Sequence, residues 1–187
     1  MPMNSTSKSF DQWTLETIRY DKSMMTWLEE RRYEWIPLAV DAIKRIVSGY
    51  TVLLLADEER QWFSDYVVTS INRSLKNRPF IPIYDLKKLA PYIHRIKSNQ
   101  DIELFFDMLS ISYEDRFFIW YVGKSIPPYV NIAKFRDDSF LWILDEDMQN
   151  NFTLQSFDEM LDIKLLQLFR LFDKSLDVAM FGEVAFE

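Results

Sequence analysis

One apolar stretch, GYTVLLLADEERQWF from Gly49 to Phe63, constrains the fold more than any other part of the chain. Its centre, Thr51 to Ala56, is a continuous run of apolar and strand-favouring residues, and a run without alternation is typical of a strand buried on both faces. Such strands occupy the middle of the parallel sheets of α/β proteins. These sheets bind ligands where a strand ends and the next helix begins. Here that turn carries the acidic residues Asp57, Glu58 and Glu59.

Length and charge limit the possible functions. The chain has 187 residues, 48% of them hydrophobic, so we expect one α/β domain over residues 1–187, with a short frayed tail at residues 1–8. The net charge of −7 predicts no direct contact with DNA. There is no cysteine, no apolar run long enough for a membrane helix and no signal peptide, which together favour a cytoplasmic protein without membrane association.

Hydrophobic periodicity predicts alternating helices and strands. We expect helices over 10–20, 24–47, 60–75, 101–109 and 157–181, and strands over 51–56, 80–84, 116–122 and 140–144. Pro37 would kink the second helix or start a new one, and Gly49 suits the left-handed residue that ends it. Pro82 places its strand at an edge of the sheet. Helices alternating with short apolar strands predict a three-layer α/β/α sandwich with a mainly parallel sheet.

The acidic turn decides between a ligand site and an ordinary helix start. A phosphate site needs free backbone N–H groups and small residues that let the anion approach. Asp57, Glu58 and Glu59 would repel a phosphate, but they suit the positive end of a helix dipole. We therefore interpret them as acidic capping of a solvent-exposed helix, with a metal or acid/base site as the less favoured alternative.

Other polar residues give weak catalytic signals. The single histidine, His94, has no cysteine or carboxylate cluster near it in sequence, and we expect an exposed residue. The carboxylates at 137–138 and 145–147 flank the predicted fourth strand, and solvated loop positions explain them better than a cation site. With three glycines and no nucleophile or phosphate-loop motif, the sequence predicts no catalytic residue, no metal and no cofactor.

Two apolar features point to association. The predicted final helix is apolar around most of its circumference, apart from a narrow polar stripe formed by Lys164, Gln167, Arg170, Lys174 and Asp177. Because a covering helix buries one side on the sheet, we expect the other side to pack against a second subunit, with a fully internal helix as the alternative. The segment 24–28, MMTWL, is rich in residue types that are enriched at interfaces, although core packing explains it equally well.

Several strings in order resemble the HobA family of epsilonproteobacteria. They are KSMMTWLEERRYEW, GYTVLLLADEERQWF, RPFIPIYDL, SFLWIL and LLQLFRLFDKSL, and they extend over most of the chain. The resemblance implies a fold similar to the phosphosugar-binding sugar isomerase (SIS) domain, which is flavodoxin-like, and a homotetramer that is the structural counterpart of the DiaA proteins of other bacteria. It also implies an adaptor that binds the N-terminal region of the replication initiator DnaA and promotes its ordered assembly at the chromosomal origin. Sugar-binding SIS domains hold phosphate in a Gly-, Ser- and Thr-rich loop, and ADEERQW departs from that pattern.

The end of the final helix is the candidate partner-binding site. Met180 and Phe181 lie on its last turn, where little helix remains to bury them, and the resemblance to DiaA implies an initiator-binding apolar pair at this position. Trp27 and Leu28 are weaker candidates, expected to contact a partner that straddles two subunits. The alternative is that Phe181 belongs to the core.

Two classes of function therefore stay open. The first is a non-enzymatic adaptor that binds DnaA. The second is a phosphosugar-binding protein or isomerase of the SIS type, which would need phosphate donors at the acidic turn.

Overall fold

The computed structural model describes residues 8–22, 24–73 and 77–186. The expected frayed tail lies outside these residues except for Lys8. The strands are β1 (Lys8–Ser9), β2 (Thr51–Ala56), β3 (Ile83–Asp85), β4 (Phe117–Lys124), β5 (Phe140–Leu144), β6 (Asn151–Leu154) and β7 (Val184–Ala185). The helices are α1 (Phe10–Tyr20), α2 (Leu28–Val47), α3 (Gln61–Ser70), α4 (Leu86–Leu89), α5 (Asn99–Tyr113), α6 (Tyr129–Ala133) and α7 (Leu161–Met180), with a 3-10 turn at Ile93–Arg95.

Five parallel strands form the main sheet in the order β3-β2-β4-β5-β6. Numbered along the chain within the sheet, this is the order 2-1-3-4-5 of flavodoxin-like proteins. Every residue of β2 except Thr51 is buried, which confirms the predicted central strand. β3 lies at one edge, as Pro82 predicted, and it begins only after that proline. A separate parallel pair, β1 with β7, joins the two ends of the described chain.

Alternate residues of the sheet supply two cores, since successive side chains in a strand point to opposite faces. On one face, Val52 and Leu54 pack with α1, α2, α3 and α7. On the other face, Leu53 and Leu55 pack with the layer that contains α4, α5 and α6. The predicted three-layer α/β/α sandwich with a parallel sheet is confirmed.

The structure also differs from the prediction in several elements. β6, with the sequence NFTL, and α6 were missed, because both are short and lie in polar or proline-flanked segments. The final helix begins at Leu161 rather than at 157, since the Asp158 side chain and carbonyl hold a turn by accepting the amides of Met160 and Leu161, each at 2.9 Å. α2 starts at Leu28 and continues through Pro37 as one helix. Gly49 after it has a φ of +86°, as predicted.

The edges of two further helices were misjudged. α5 extends over Asn99–Tyr113, four residues beyond the predicted end, and begins with a capping box in which the side chains of Ser98 and Asp101 each accept the other residue's backbone amide. α3 ends at Ser70 rather than at 75. In the described part of the chain, no helix has the combination of length and hydropathy that spans a bilayer.

Candidate functional site

The carboxyl ends of β2 and β4 meet at the point where the strand order reverses. This switch point is where flavodoxin-like sheets bind their ligands, because the helices on either side diverge and leave a crevice. Asp57 comes directly after β2, and Gly123 and Lys124 end β4 beside it. The residues at this place therefore decide whether the fold offers a ligand site.

Asp57 fills the switch point with its own carboxylate. Its Oδ1 accepts the backbone amide of Arg60 at 3.0 Å, and its Oδ2 accepts the backbone amide of Lys124 at 2.7 Å. Oδ2 also forms an ion pair with the guanidinium of Arg60. Both side chains are almost completely buried. An internal carboxylate thus accepts one amide from the turn before α3 and one from the end of β4, at the place where a ligand-binding protein of this fold would hold an anion.

Gly123 lets the carboxylate approach the end of β4. A Cβ atom built at this position would lie 2.7 Å from Oδ2 and 2.8 Å from both Cβ and Cγ of Asp57. These distances are too short for any side chain at 123 unless Asp57 or the backbone shifts. The glycine is therefore required by the closeness of Asp57.

The other two acidic residues line the remaining crevice. Glu58 accepts a hydrogen bond from the hydroxyl of Tyr129 at 2.6 Å and lies 3.5 Å from the ammonium of Lys87. The hydrogen bond from Tyr129 holds the pKa of Glu58 below its usual value, and burial with the same bond raises the pKa of Tyr129 to about 12. Glu59 pairs with Arg60 and lies 3.6 Å from the ammonium of Lys124.

This crevice is small and unsuited to a phosphate. Its volume is about 250 Å³. It is lined by Asp57, Glu58, Glu59, Arg60, Ile126, Pro127 and Tyr129. The sequence predicted acidic capping of an exposed helix at this turn. Only Asp57 caps the turn before α3, and its side chain is buried rather than exposed to solvent. The side chains of Glu58 and Glu59 are mostly exposed.

Arg60 and Tyr129 were not identified from the sequence. The signal for Arg60 was its spacing of three residues from Asp57, which lets an arginine pair with an acidic residue across one turn. Tyr129 had no comparable signal, since it comes from α6, which was itself missed. Among the weaker candidates, His94 is exposed and lies 3.0 Å from the carbonyl of Pro91, as expected of a surface residue.

The end of α7 presents an exposed aromatic side chain. Phe181, the residue that caps the helix, is 55% exposed, and its amide donates to the carbonyl of Asp177 at 3.1 Å. Met180 is partly buried against the core. The alternative placement of Phe181 in the core does not match this exposure.

Trp27 and Leu28 lie at the start of α2, beside α7 but far from its end. The indole N–H of Trp27 donates to Gln167 at 2.6 Å, and the ammonium of Lys164 lies 4.9 Å from its ring. Gln167 precedes Phe181 by 14 residues, which is about 21 Å along a helix, so one chain does not bring Trp27 and Phe181 together. Leu28 is completely buried, so it belongs to the core and offers no contact surface.

The two-sided apolar character of α7 has an explanation within the chain. On its inner side, Phe172 lies 5.2 Å from the rings of Trp120 and Phe140 in the sheet. Other parts of its surface contact α1, α2 and α3 of the same chain. These contacts within the chain favour the alternative of an internal helix, and the packing of α7 against a second subunit stays a prediction.

The fold and the closed crevice define a flavodoxin-like α/β protein whose switch point is occupied by its own salt bridge. A family model described as HobA, DNA replication regulator, matches residues 3–186. The DNA replication regulator protein HobA of Helicobacter pylori (strain ATCC 700392 / 26695) is 30% identical over 183 residues, which are 95% of this chain and 98% of that protein. The chain belongs to the HobA family of DNA replication regulators, which confirms the resemblance noted in its sequence.

Two solved structures from Helicobacter pylori are similar to this chain. One is the crystal structure of a HobA–DnaA (domain I–II) complex, with a TM-score of 0.75 and 30% identity, covering 95% of this chain and 99% of the other. The other is the crystal structure of HobA, with a TM-score of 0.75 and 29% identity, covering 95% and 98%. The similarity therefore extends over the whole α/β sandwich.

Proposed function

We propose that this protein is a non-enzymatic adaptor that binds the N-terminal region of the replication initiator DnaA and promotes its ordered assembly at the chromosomal origin. The observation that carries the proposal is the similarity to the HobA chain of the HobA–DnaA (domain I–II) complex, at a TM-score of 0.75 and 30% identity. That similarity includes nearly all of both chains, so no large part of the relative is missing here.

The closed switch point supports the absence of an enzymatic role. In the alternative function, a phosphosugar would need the main-chain amides near the start of α3. Asp57 accepts the amide of Arg60 there and the amide of Lys124 at the end of β4, and its negative charge is paired with the guanidinium of Arg60. A competing anion would have to displace a buried carboxylate from a salt bridge, which is strongly unfavourable.

Exposure at the end of α7 supports the placement of the partner there. Phe181 is a large apolar residue at 55% exposure, and Met180 next to it is partly accessible. Exposed aromatic anchors of this kind concentrate binding energy at interfaces. Trp27 is partly accessible on the same layer and remains a secondary candidate.

The adaptor acts as a single domain over residues 1–187, in the cytoplasm, and as a homo-oligomer, expected to be a tetramer. An oligomer gathers several initiator molecules, which is how an adaptor without chemistry can order an assembly. Its net charge of −7 supports contact with the initiator rather than directly with DNA.

A pull-down with DnaA fragments tests the proposal. The immobilised protein should retain a fragment with the N-terminal domains of DnaA and should not retain the remainder of DnaA. A thermal shift assay with sugar phosphates tests the alternative, since a ligand that binds only the native state must raise the melting temperature. A clear phosphosugar-dependent rise without DnaA binding would reverse the choice between the two functions.

A further inference from the structure

Arg78 fastens the connection between α3 and β3 to the end of α7. Its side chain is only 1% exposed, although it lies outside every helix and strand. The guanidinium donates to the carboxylates of Asp173 and Asp177, each at 2.5 Å. It also donates to the carbonyls of Asp173 at 2.9 Å and Ile71 at 2.7 Å. One side chain thus joins the end of α3, the connection after it and the last two turns of α7.

The two carboxylates that hold Arg78 lie on the side of α7 that ends in Phe181. Asp173, Asp177 and Phe181 are spaced four residues apart, and residues with this spacing lie above one another on a helix. Phe181 comes one turn after Asp177, about 6 Å further along the helix axis. The connection that carries Arg78 therefore lies beside the same side of α7 as the candidate anchor Phe181.

Phe80 is an exposed aromatic residue on a fixed part of this connection. Its side chain is 69% exposed. The ring of Pro79 restricts the backbone before it. After it, the amide and the carbonyl of Ile81 bond to the side chain of Asn72 at 2.9 and 2.7 Å. A rigid aromatic side chain on a fixed backbone loses little conformational freedom on binding, which suits an anchor at an interface.

Phe80 and Phe181 lie next to one ion pair. Phe80 follows Arg78 by two residues, which span at most about 7 Å. Phe181 is a similar distance from Asp177, the residue that Arg78 binds. Because both aromatic side chains are more than half exposed, one partner that covers the ion pair can contact both of them.

We propose that Phe80 is a second anchor of the initiator-binding surface, beside Phe181, and that Arg78 is the positioning residue that holds the two anchors together. The N-terminal region of DnaA then presents one apolar area to both rings. The inference rests on the DnaA binding proposed above, and it extends the partner surface from the end of α7 to a second part of the chain.

The burial of Arg78 fits a positioning role. A side chain that is 1% exposed does not itself contact a partner. Burying a guanidinium removes its hydration, and pairing with carboxylates mainly offsets that loss, so added stability is a weak reason for such an ion pair. The four hydrogen bonds of Arg78 instead select one placement of the connection against α7, and with it one placement of Phe80 beside Phe181.

Phe80→Ala tests the second anchor, with Phe157→Ala as the matched control. Phe157 is 81% exposed and lies in the turn before α7, about 30 Å along the helix from Phe181. In calorimetric titrations with DnaA domains I–II, Phe80→Ala should weaken binding at least tenfold, and Phe157→Ala should bind as the wild type does. Because both side chains are exposed, both variants should keep the melting temperature of the wild type.

Arg78→Lys tests the positioning role, since a lysine keeps the charge but has no planar fork for the two carboxylates. This variant should weaken DnaA binding in the wild-type background. In a Phe80→Ala background it should change the affinity much less, because the anchor that it positions is absent. Its effect on the melting temperature should be the same in both backgrounds. Equal losses of affinity in both backgrounds would overturn the positioning role.

The outcomes separate this inference from the proposed function. A wild type that binds DnaA domains I–II together with a Phe80→Ala variant of equal affinity would overturn the second anchor and leave the adaptor standing. A wild type that does not bind would overturn both. Sedimentation equilibrium completes the test, because a lower mass of Phe80→Ala would assign Phe80 to a contact between copies and overturn its role as an anchor for DnaA.

Discussion

The Oδ2 atom of Asp57, directly after β2, accepts a hydrogen bond of 2.7 Å from the backbone amide of Lys124 at the end of β4. This contact joins the two neighbouring strands at the place where the fold would otherwise bind a ligand. The closure is part of the folded core, since the salt bridge that completes it is almost completely buried. Changes at these residues should therefore affect stability first.

Replacing Asp57 by Ala should destabilise the protein by about 3–5 kcal/mol, because the buried guanidinium of Arg60 would lose its buried partner and keep only the exposed Glu59. Glu59→Ala is the control, since the Glu59 side chain is 66% exposed and should cost about 0.5 kcal/mol or less. Urea unfolding followed by circular dichroism measures both. Equal effects of the two substitutions would show that the buried pair does not hold the switch point.

Gly123→Ala should cost about 1–3 kcal/mol through overpacking against Asp57. The backbone at 123 does not have a positive φ, so a steric clash is the only reason for the cost. In an Asp57→Gly background, where the side chain that causes the clash is absent, the same substitution should cost much less. A double-mutant cycle in urea gives the coupling, and additive effects would mean that the two residues do not constrain each other.

Much of the fold could be predicted from the sequence, because the central strands and the long helices are determined by the pattern of hydrophobic residues. The uninterrupted run Thr51–Ala56 and the run Phe140–Leu144 have the bounds predicted for them. β6 was missed because its four residues alternate between polar and apolar at the sheet edge, and too few residues establish a period. The start of α7 depends on a turn made by Asp158, which hydrophobic periodicity does not report.

The candidate site could be predicted from the sequence only in part. The sequence showed that acid had replaced glycine after β2, which led to the expectation that phosphate does not bind. The sequence did not show which of the three carboxylates is buried. That depends on the contact of Asp57 with Gly123, which lies 66 residues later in the chain. The apolar surface of α7 shows a similar limit, since an apolar helix face does not reveal whether other helices of the same chain, here α1 and α2, will contact it.

Tyr129→Phe should reduce the sensitivity of stability to acid. The Tyr129 hydroxyl lowers the pKa of Glu58 below its ordinary value of 4.5. A lowered folded pKa contributes stability above the unfolded pKa, and that contribution is lost as pH falls through the folded pKa, so the wild type should lose it as the pH falls below the ordinary value of 4.5. Thermal melts across this range should show a smaller decline for the variant, and identical declines would contradict the contact.

Phe181→Ala and Leu28→Ala should have opposite effects. Because Phe181 is 55% exposed, its truncation should leave the melting temperature nearly unchanged but weaken DnaA binding by on the order of 2 kcal/mol, roughly thirtyfold. Leu28 is completely buried, so its truncation should cost about 2–5 kcal/mol of folding stability. A Phe181→Ala variant that is broadly destabilised, or that binds DnaA normally, would remove the end of α7 from the partner surface.

Calorimetric titration of the wild-type protein with the N-terminal domains I–II of DnaA tests the central claim most directly. We predict saturable binding with a defined stoichiometry, and no heat of binding when a sugar phosphate replaces the DnaA fragment. Absence of binding to the DnaA fragment under conditions where the protein is folded would contradict the proposed function.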